Sequence, residues 1–144
     1  MNFTISITGQ NELKNVLNAL IPLPYEYEDF VKNDLLDYLH SQTLRTFSSQ
    51  QDPYGNAWAP LSPYTLKRKK TNRIMFETGN LMRSFNIDRN DLSLSFNIDY
   101  AIKHQTGETR LPQRLLLPIE SRGLPNTWVS IIESNTNSFL EGFL

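Results

Sequence analysis

Residues able to carry out chemistry are few in this sequence. The histidines are His40 and His104, and there is no cysteine to act as a nucleophile, bind zinc as a thiolate or form a disulfide. Glu108 follows His104 by four residues, a spacing that would stack a base and an orienting carboxylate on one helix face. Gly107 lies between them and is expected to end that helix first. The pattern favours a structural histidine at a helix end over a catalytic base.

Motifs for nucleotide binding, serine nucleophiles and zinc proteases are absent from the sequence. It contains no glycine-rich phosphate loop, no Gly-x-Ser-x-Gly turn and no His-Glu-x-x-His. The carboxylate pairs Glu28/Asp29 and Asp34/Asp37 fall on the polar side of a predicted helix, where a solvated face accounts for them. We therefore expect no enzymatic activity, no metal, no cofactor and no small-molecule substrate.

Positive charge is concentrated in one short segment. Residues 53–76 contain five bases and no acid, although the whole chain has a net charge of −1. We call these five residues the basic segment: Lys67, Arg68, Lys69, Lys70 and Arg73. A solvated loop, an acidic surface on a neighbouring subunit or nucleic acid would each explain such a cluster. Only Tyr64, at its edge, adds an aromatic ring, so base stacking is not supported.

A long loop, residues 48–63, precedes the basic segment. Its Asp52-Pro53-Tyr54-Gly55 places Asp, Pro and Gly where a β-turn prefers them. Trp58 follows, and its indole either pins the loop to the protein's own core or packs onto a partner, as large aromatic residues do at interfaces. The candidate interaction residues of this loop are Asp52, Pro53, Gly55 and Trp58.

Periodicity in the first half of the chain predicts a strand and three helices. Residues 2–8 alternate as a half-buried strand, and residues 11–21 fit a short helix. Apolar residues at three- and four-residue spacing predict a long helix from Tyr25 to Phe47. Leu36 and Leu44 lie off its apolar stripe; single residues of this kind are ordinary on monomers and would also suit a second surface in an oligomer. A short basic helix is predicted from Pro63 to Thr71.

In the second half, a helical turn at 81–85 leads into a hairpin over residues 85–98, and a short helix follows at 100–105. The apolar run from Arg114 to Ile119 predicts a strand covered on both faces. Asn126 or Thr127 is expected to cap a C-terminal helix. These elements predict one α+β domain over residues 1–144. Its antiparallel or mixed sheet of about four strands would pack with the long helix of the N-terminal half and the C-terminal helix.

Membrane and export signals are not found in the sequence. No apolar run approaches the roughly 20 residues that a bilayer-crossing helix needs. The first residues, Met1 to Ile5, carry no basic n-region and no long apolar region. We therefore expect no membrane association, and synthesis and residence in the cytoplasm.

Several short motifs follow one another in a definite order. They are Asp52-Pro53-Tyr54-Gly55 with Trp58, the basic run after Thr65, Thr78-Gly79-Asn80-Leu81, Tyr100-Ala101, His104-Gln105-Thr106-Gly107, and Pro112-Gln113-Arg114 before an apolar run. As an ordered set over roughly residues 28–140, they resemble the phage virion morphogenesis family. These are the tail-completion proteins of Mu-like and P2-like tailed phages and prophages.

The resemblance implies a non-enzymatic structural protein at the head–tail junction, or neck, acting when a tail is completed or joined to a filled capsid. It implies a homo-oligomeric ring, contacts with other head or tail proteins, and a place in the virion after assembly in the host cytoplasm. The residues carried by the family motifs are Thr78, Gly79, Leu81, Tyr100, Ala101, His104, Gly107 and Arg114.

Charge suggests how such subunits would meet. A closed ring needs two different patches on each copy, and the chain offers a basic segment and an acidic remainder. The planar fork of Arg114 could hold a carboxylate of the next subunit, such as one of the acids among residues 26–37. The basic segment could also make nonspecific contact with DNA in the neck channel. The alternative function is a small nucleic-acid-binding regulator that uses residues 67–73.

Overall fold

The computed structural model describes residues 25–142. A long helical segment comes first: helix α1 (Tyr25–Phe30), a π-helical turn (Val31–Leu35) and helix α2 (Leu36–Ser49) follow one another directly. This confirms the long helix predicted in this part of the chain. The strand predicted over residues 2–8 and the helix predicted over residues 11–21 lie outside the described residues.

The π-helical turn changes which side chains of the long helix face the core. A π turn holds more residues than an α turn, so it rotates the following residues around the helix axis. Leu35 and Leu36 are neighbours in sequence, yet each is only 1% exposed. The expectation that Leu36 is exposed, singly or as part of a second surface, is therefore wrong, because the change of helical register brings it into the core.

Gln50 ends α2 and attaches a distant segment to it. Its backbone is left-handed, with φ 57°, and its N–H donates to the carbonyl of Thr46. Its side-chain oxygen accepts from the N–H of Ile74 at 2.6 Å, and its Nε2 donates to the carbonyl of Ile74 at 3.2 Å. The chain beyond the basic segment is thus held against the end of α2.

Short helices lie in the connections: α3 (Pro63–Arg68), α4 (Asn80–Arg83) and α5 (Ala101–Thr106). Helix α3 begins as predicted, with Pro63 at its start and the hydroxyl of Ser62 accepting from the N–H of Thr65 at 3.1 Å. It ends at Arg68, earlier than the predicted Thr71.

The predicted hairpin is confirmed. Strands β1 (Phe85–Asp88) and β2 (Ser93–Phe96) pair antiparallel. The carboxylate of Asp88 closes the turn by accepting from the N–H groups of Asn90 and Asp91 at 2.9 and 3.0 Å. All residues of β2 are buried, so this strand runs through the core instead of covering it on one face.

The apolar run from Arg114 to Ile119 is largely buried but is not a strand. Gln105 supplies its hydrogen bonds: Oε1 accepts from the N–H groups of Leu116 and Leu117 at 2.8 and 3.1 Å, and Nε2 donates to the carbonyl of Leu117 at 2.8 Å. Backbone groups satisfied by a side chain need no neighbouring strand. The prediction of about four strands is therefore corrected: the sheet within residues 25–142 has two. The α+β class is confirmed.

Helix α6 (Asn126–Glu141) follows a 3₁₀ turn (Glu120–Arg122) and packs back onto α1. The rings of Phe30 and Phe139 stack with centroids 4.5 Å apart. The predicted cap is wrong, because Pro125 precedes the helix and no side chain accepts its first N–H groups.

Candidate interaction site

The long loop after α2 is fixed by hydrogen bonds of its own. The carbonyl of Asp52 accepts from the N–H of Gly55 at 3.0 Å, which closes the predicted β-turn. Its carboxylate Oδ1 accepts from the N–H groups of Tyr54 and Asn56 at 2.8 and 2.9 Å. Gly55 adopts φ +89°, a conformation that side chains resist, and Pro53 is buried. These residues shape the loop.

Two aromatic side chains attach the loop to the segment around residues 115–123. Trp58 is 4% exposed, and its Nε1 donates to the carbonyl of Leu115 at 2.9 Å. The hydroxyl of Tyr54 accepts from the N–H of Ile119 at 3.0 Å and donates to the carbonyl of Gly123 at 2.6 Å. Of the two alternatives for Trp58, the structure has the first: the indole pins the loop to the protein's own core.

Arg114 is buried, with 5% of its surface exposed, and binds the same loop. Its Nε donates to the carbonyl of Ala59 at 2.7 Å and its Nη2 to that of Pro60 at 3.0 Å. The expectation that its fork grips a carboxylate of another subunit does not fit this geometry, since these donors are used within the chain. Burial lowers the pKa of Arg114. Its charge forms no salt bridge with any acid among residues 25–142.

Lys69 stands apart from the rest of the basic segment because it turns inward. Its side chain is 15% exposed, and its Nζ donates to the carbonyls of Arg73 and Phe76 at 2.6 and 2.8 Å. The nearer carboxylate oxygen of Glu77 lies 3.9 Å away. Burial lowers the pKa of Lys69, an effect that Glu77 opposes and Arg114 reinforces.

The other cations of the basic segment are exposed: Lys67, Arg68, Lys70 and Arg73. Arg68 lies 5.3 Å from the centroid of the Tyr64 ring and donates to the Tyr64 hydroxyl at 2.7 Å. Tyr64 is 67% exposed and Leu66 is 45% exposed, and helix α3 has no buried residue. We call the exposed residues of this helix and of the turn after it the α3 surface: Tyr64, Leu66, Lys67, Arg68 and Lys70.

Most family-motif residues meet around one pocket of about 680 Å³. Its walls come from residues 60–65, the turn at 75–81, helix α5 with Tyr100, and residues 110–114. The motif residues that line it are Thr78, Gly79, Leu81, Tyr100, His104 and Arg114. Ala101 is fully buried, and neither it nor Gly107 lines the pocket. Motifs separated along the chain therefore converge on one cavity.

Gly107 permits a close contact beside the pocket. It adopts φ +75°, and a side chain there would place its first carbon 3.0 Å from the backbone nitrogen of Gln113. Only glycine accepts both the angle and the contact without strain. The turn that brings residues 111–114 back to α5 depends on it.

His104 borders the pocket as an uncharged ring at neutral pH. Its Nδ1 is buried and has no hydrogen-bond partner among residues 25–142. Burial, and then the positive charges of Arg114 and Lys69, lower the pKa of His104. Its backbone carbonyl accepts from the N–H of Arg114 at 2.8 Å, which ties α5 to that segment.

The pairing of His104 with Glu108 as a base and its orienting carboxylate is not formed. Helix α5 ends at Thr106, before Glu108, as the glycine predicts. The carboxylate of Glu108 lies 3.6 Å from Nζ of Lys103. The other histidine, His40, stacks on the ring of Phe85. Within the part of the chain that the structure describes, no group of three or more acids and histidines is placed to hold a metal ion.

Three residues that position the site are not identified by the sequence patterns: Tyr54, Gln50 and Gln105. Gln105 lies one helical turn after Ala101, on the buried face of α5, and this spacing is the signal that could have indicated it. Tyr54 and Gln50 carry no such signal, because their partners lie 65 and 24 residues away.

The whole chain was compared with known proteins. It matches the model of the phage virion morphogenesis family over residues 9–127. No curated protein matches it, and no solved structure does. Because the match covers most of the chain, the protein belongs to the phage virion morphogenesis family, which confirms the resemblance seen in the ordered motifs.

Membership indicates that the protein has a role in assembling a phage virion and that it is associated with that virion. Across residues 25–142, none of the helices has the length and apolar character needed to span a membrane.

Proposed function

We propose that this protein is a tail-completion subunit that acts at the phage neck, closing the tail or joining it to the head. In this proposal it is a structural protein without a catalytic reaction, and it works as a homo-oligomeric ring in contact with head or tail proteins. Family membership supports a role in virion assembly. The α3 surface supports a protein contact.

The exposed helix α3 carries the proposal. A helix of this length gains little stability by itself and usually depends on packing one face. Helix α3 has no buried residue, yet it exposes Tyr64 and Leu66 together with the cations Lys67 and Arg68, and Lys70 follows it. An exposed apolar and cationic surface is typical of a site that another macromolecule covers.

The same chain also offers exposed acids among residues 26–37: Glu26, Glu28, Asp29, Asp34 and Asp37. Glu28 forms a salt bridge with Lys32, and Asp37 forms one with Arg89. Glu26, Asp29 and Asp34 have no salt bridge within residues 25–142. A ring is built by heterologous contacts in which one patch of each copy meets a different patch of the next. Opposite charge on two such patches favours this head-to-tail pairing and opposes pairing of like patches.

Particle assembly tests the proposal. Micrographs of lysates from a phage lacking this gene should show free tails beside full heads if the protein joins the two, or abnormally long tails if it terminates the tail. Lys67→Glu should fail to restore infectious particles. Arg45→Glu, which makes the same charge change at an exposed site outside the α3 surface, should restore them.

Two results would oppose this function. Normal numbers of infectious particles without the protein would exclude an essential assembly role. Light scattering that shows a monomer at every concentration, together with no binding to purified tails, would exclude the ring.

One observation favours the alternative of a nucleic-acid-binding regulator: four cations of the basic segment are exposed. Such a regulator would bind duplex DNA with an affinity that falls steeply with salt, because each phosphate contact releases counterions. Replacing the exposed Lys67, Arg68, Lys70 and Arg73 with alanine would abolish that binding, whereas Lys69 is left in place because it holds backbone carbonyls. A flat titration at low salt would remove this alternative.

A further inference from the structure

The pocket lined by the family motifs contains more positive charge than the chain neutralises. Arg114 lies in its wall, 5% exposed and without a salt bridge among residues 25–142. Lys69 lines it too, and Arg110 lies at an exposed position of the lining. Glu77 is the acidic residue among the lining residues described, and its carboxylate is 3.9 Å from Lys69. Three cations thus face one acid.

Burial makes this imbalance costly. A charge removed from water loses hydration energy that only a counter-charge or hydrogen bonds can return. Arg114 and Lys69 donate to uncharged carbonyls, and Lys69 also has the carboxylate of Glu77 at 3.9 Å. Arg114 has no counter-charge among residues 25–142. Burial lowers the pKa of Lys69, an effect that Glu77 opposes and Arg114 reinforces. An anion entering the pocket would supply the missing counter-charge.

Apolar side chains form part of the remaining lining and shape what kind of anion fits. Met75 and Leu81 are buried, and Leu61, Phe76 and Leu111 are partly exposed. Polar uncharged residues complete the lining: Ser62, Thr65, Thr78 and Asn80. A nucleic-acid strand presents a repeating row of solvated phosphates, for which the outward cations of α3 are better placed. A single carboxylate with an apolar neighbour, as on a peptide, matches a concave site of this composition.

We propose that this pocket binds an acidic peptide segment of another virion protein, placing an Asp or Glu carboxylate near Lys69 and Arg110 and an adjacent apolar side chain against Leu81 and Met75. The inference rests on the proposed function for the nature of the partner, and it names a second contact surface, distinct from the α3 surface. His104 and Tyr100 form the side of the pocket that the apolar group would touch.

The test uses the full chain, isotopically labelled, and 3-phenylpropionate as a probe that joins a carboxylate to an apolar group. Amide resonances of Gly79, Leu81 and His104 should shift on titration. The neutral analogue 3-phenylpropionamide should bind at least about tenfold more weakly, since it loses a charge-assisted contact. Arg110→Gln should weaken binding of the carboxylate, and Arg45→Gln, an exposed arginine outside the pocket, should leave it unchanged.

Three outcomes would overturn the inference. Equal affinity for the acid and the amide would show that charge plays no part. Shifts confined to residues outside the pocket would move the site elsewhere. Tighter pocket binding by a short oligonucleotide or by inorganic phosphate than by the carboxylate would assign the pocket to phosphate.

Failure here is distinguishable from failure of the proposed function. Binding of the probe is measured on purified protein and needs no phage, whereas the assembly role is read from particles. If the protein binds the carboxylate but is dispensable for infectious particles, the peptide-binding pocket is supported and the assembly function is contradicted. If it is needed for infectious particles but does not bind the carboxylate, the assembly function is supported and the peptide-binding pocket is contradicted.

Discussion

Single polar side chains, placed far from their partners in sequence, hold much of this protein together. The side chain of Gln105 accepts from the N–H of Leu116 and donates to the carbonyl of Leu117. The side chain of Gln50 accepts from the N–H of Ile74, and the indole of Trp58 donates to the carbonyl of Leu115. Each of these bonds is shielded from water to some degree, so losing one leaves a polar backbone group without a partner.

Gln105→Met tests how much one such side chain contributes to the stability of the fold. The substitution keeps much of the volume but removes both hydrogen-bonding ends of the side chain, so we expect the free energy of unfolding to fall by about 3 kcal/mol. Urea denaturation measures it. Gln51→Met, at an exposed position, is the control and should change stability by less than about 0.5 kcal/mol. A loss below about 1 kcal/mol for Gln105→Met would contradict a structural role for its amide.

At the scale of elements, the turn from α5 into residues 111–114 depends on Gly107. Gly107→Ala would impose both an unfavourable φ and a close contact with Gln113, at a cost of about 1–3 kcal/mol. Gly55 is the matched control, because it also has positive φ but has open space where a side chain would lie. Gly55→Ala should therefore cost less than Gly107→Ala in thermal unfolding. Equal costs would mean that the contact with Gln113 contributes nothing.

The sequence predicts the elements that are stabilised by contacts between residues close to one another along the chain. The long helix and the hairpin follow from apolar periodicity and from the Asp88 turn, and both are present. The run at 114–119 is predicted wrongly because its partner is a side chain, which periodicity does not encode. For the site, the motif residues are identifiable one by one, but their convergence on one pocket depends on contacts between distant segments.

For the whole molecule, the two histidines make stability depend on pH. Burial is the main reason that the pKa values of His104 and His40 are lowered in the folded state. Unfolded histidines titrate near about 6.5, so below that pH the unfolded chain binds protons that the folded chain excludes. Protonation then favours unfolding, and stability is lost as the pH falls.

We expect the free energy of unfolding to decrease between about pH 7.5 and 5.5, by at most about 1.4 kcal/mol per pH unit for each proton taken up. Urea unfolding at a series of pH values measures the slope. His104→Gln should flatten the slope more than His40→Gln, because burial, Arg114 and Lys69 all lower the pKa of His104, whereas at His40 Asp37 opposes burial and Arg89. A slope unchanged by His104→Gln would contradict the lowered pKa.

The hydrogen bonds between the long loop and residues 114–123 also affect when the pocket can form during synthesis. Hydrogen bonds from Tyr54, Trp58 and Arg114 join positions separated by 69, 57 and 55 residues. Such distant pairings close late, because the intervening chain must first be ordered. A nascent polypeptide therefore lacks the braced pocket until residues near Gly123 have left the ribosome, so a subunit cannot engage that site earlier in its synthesis.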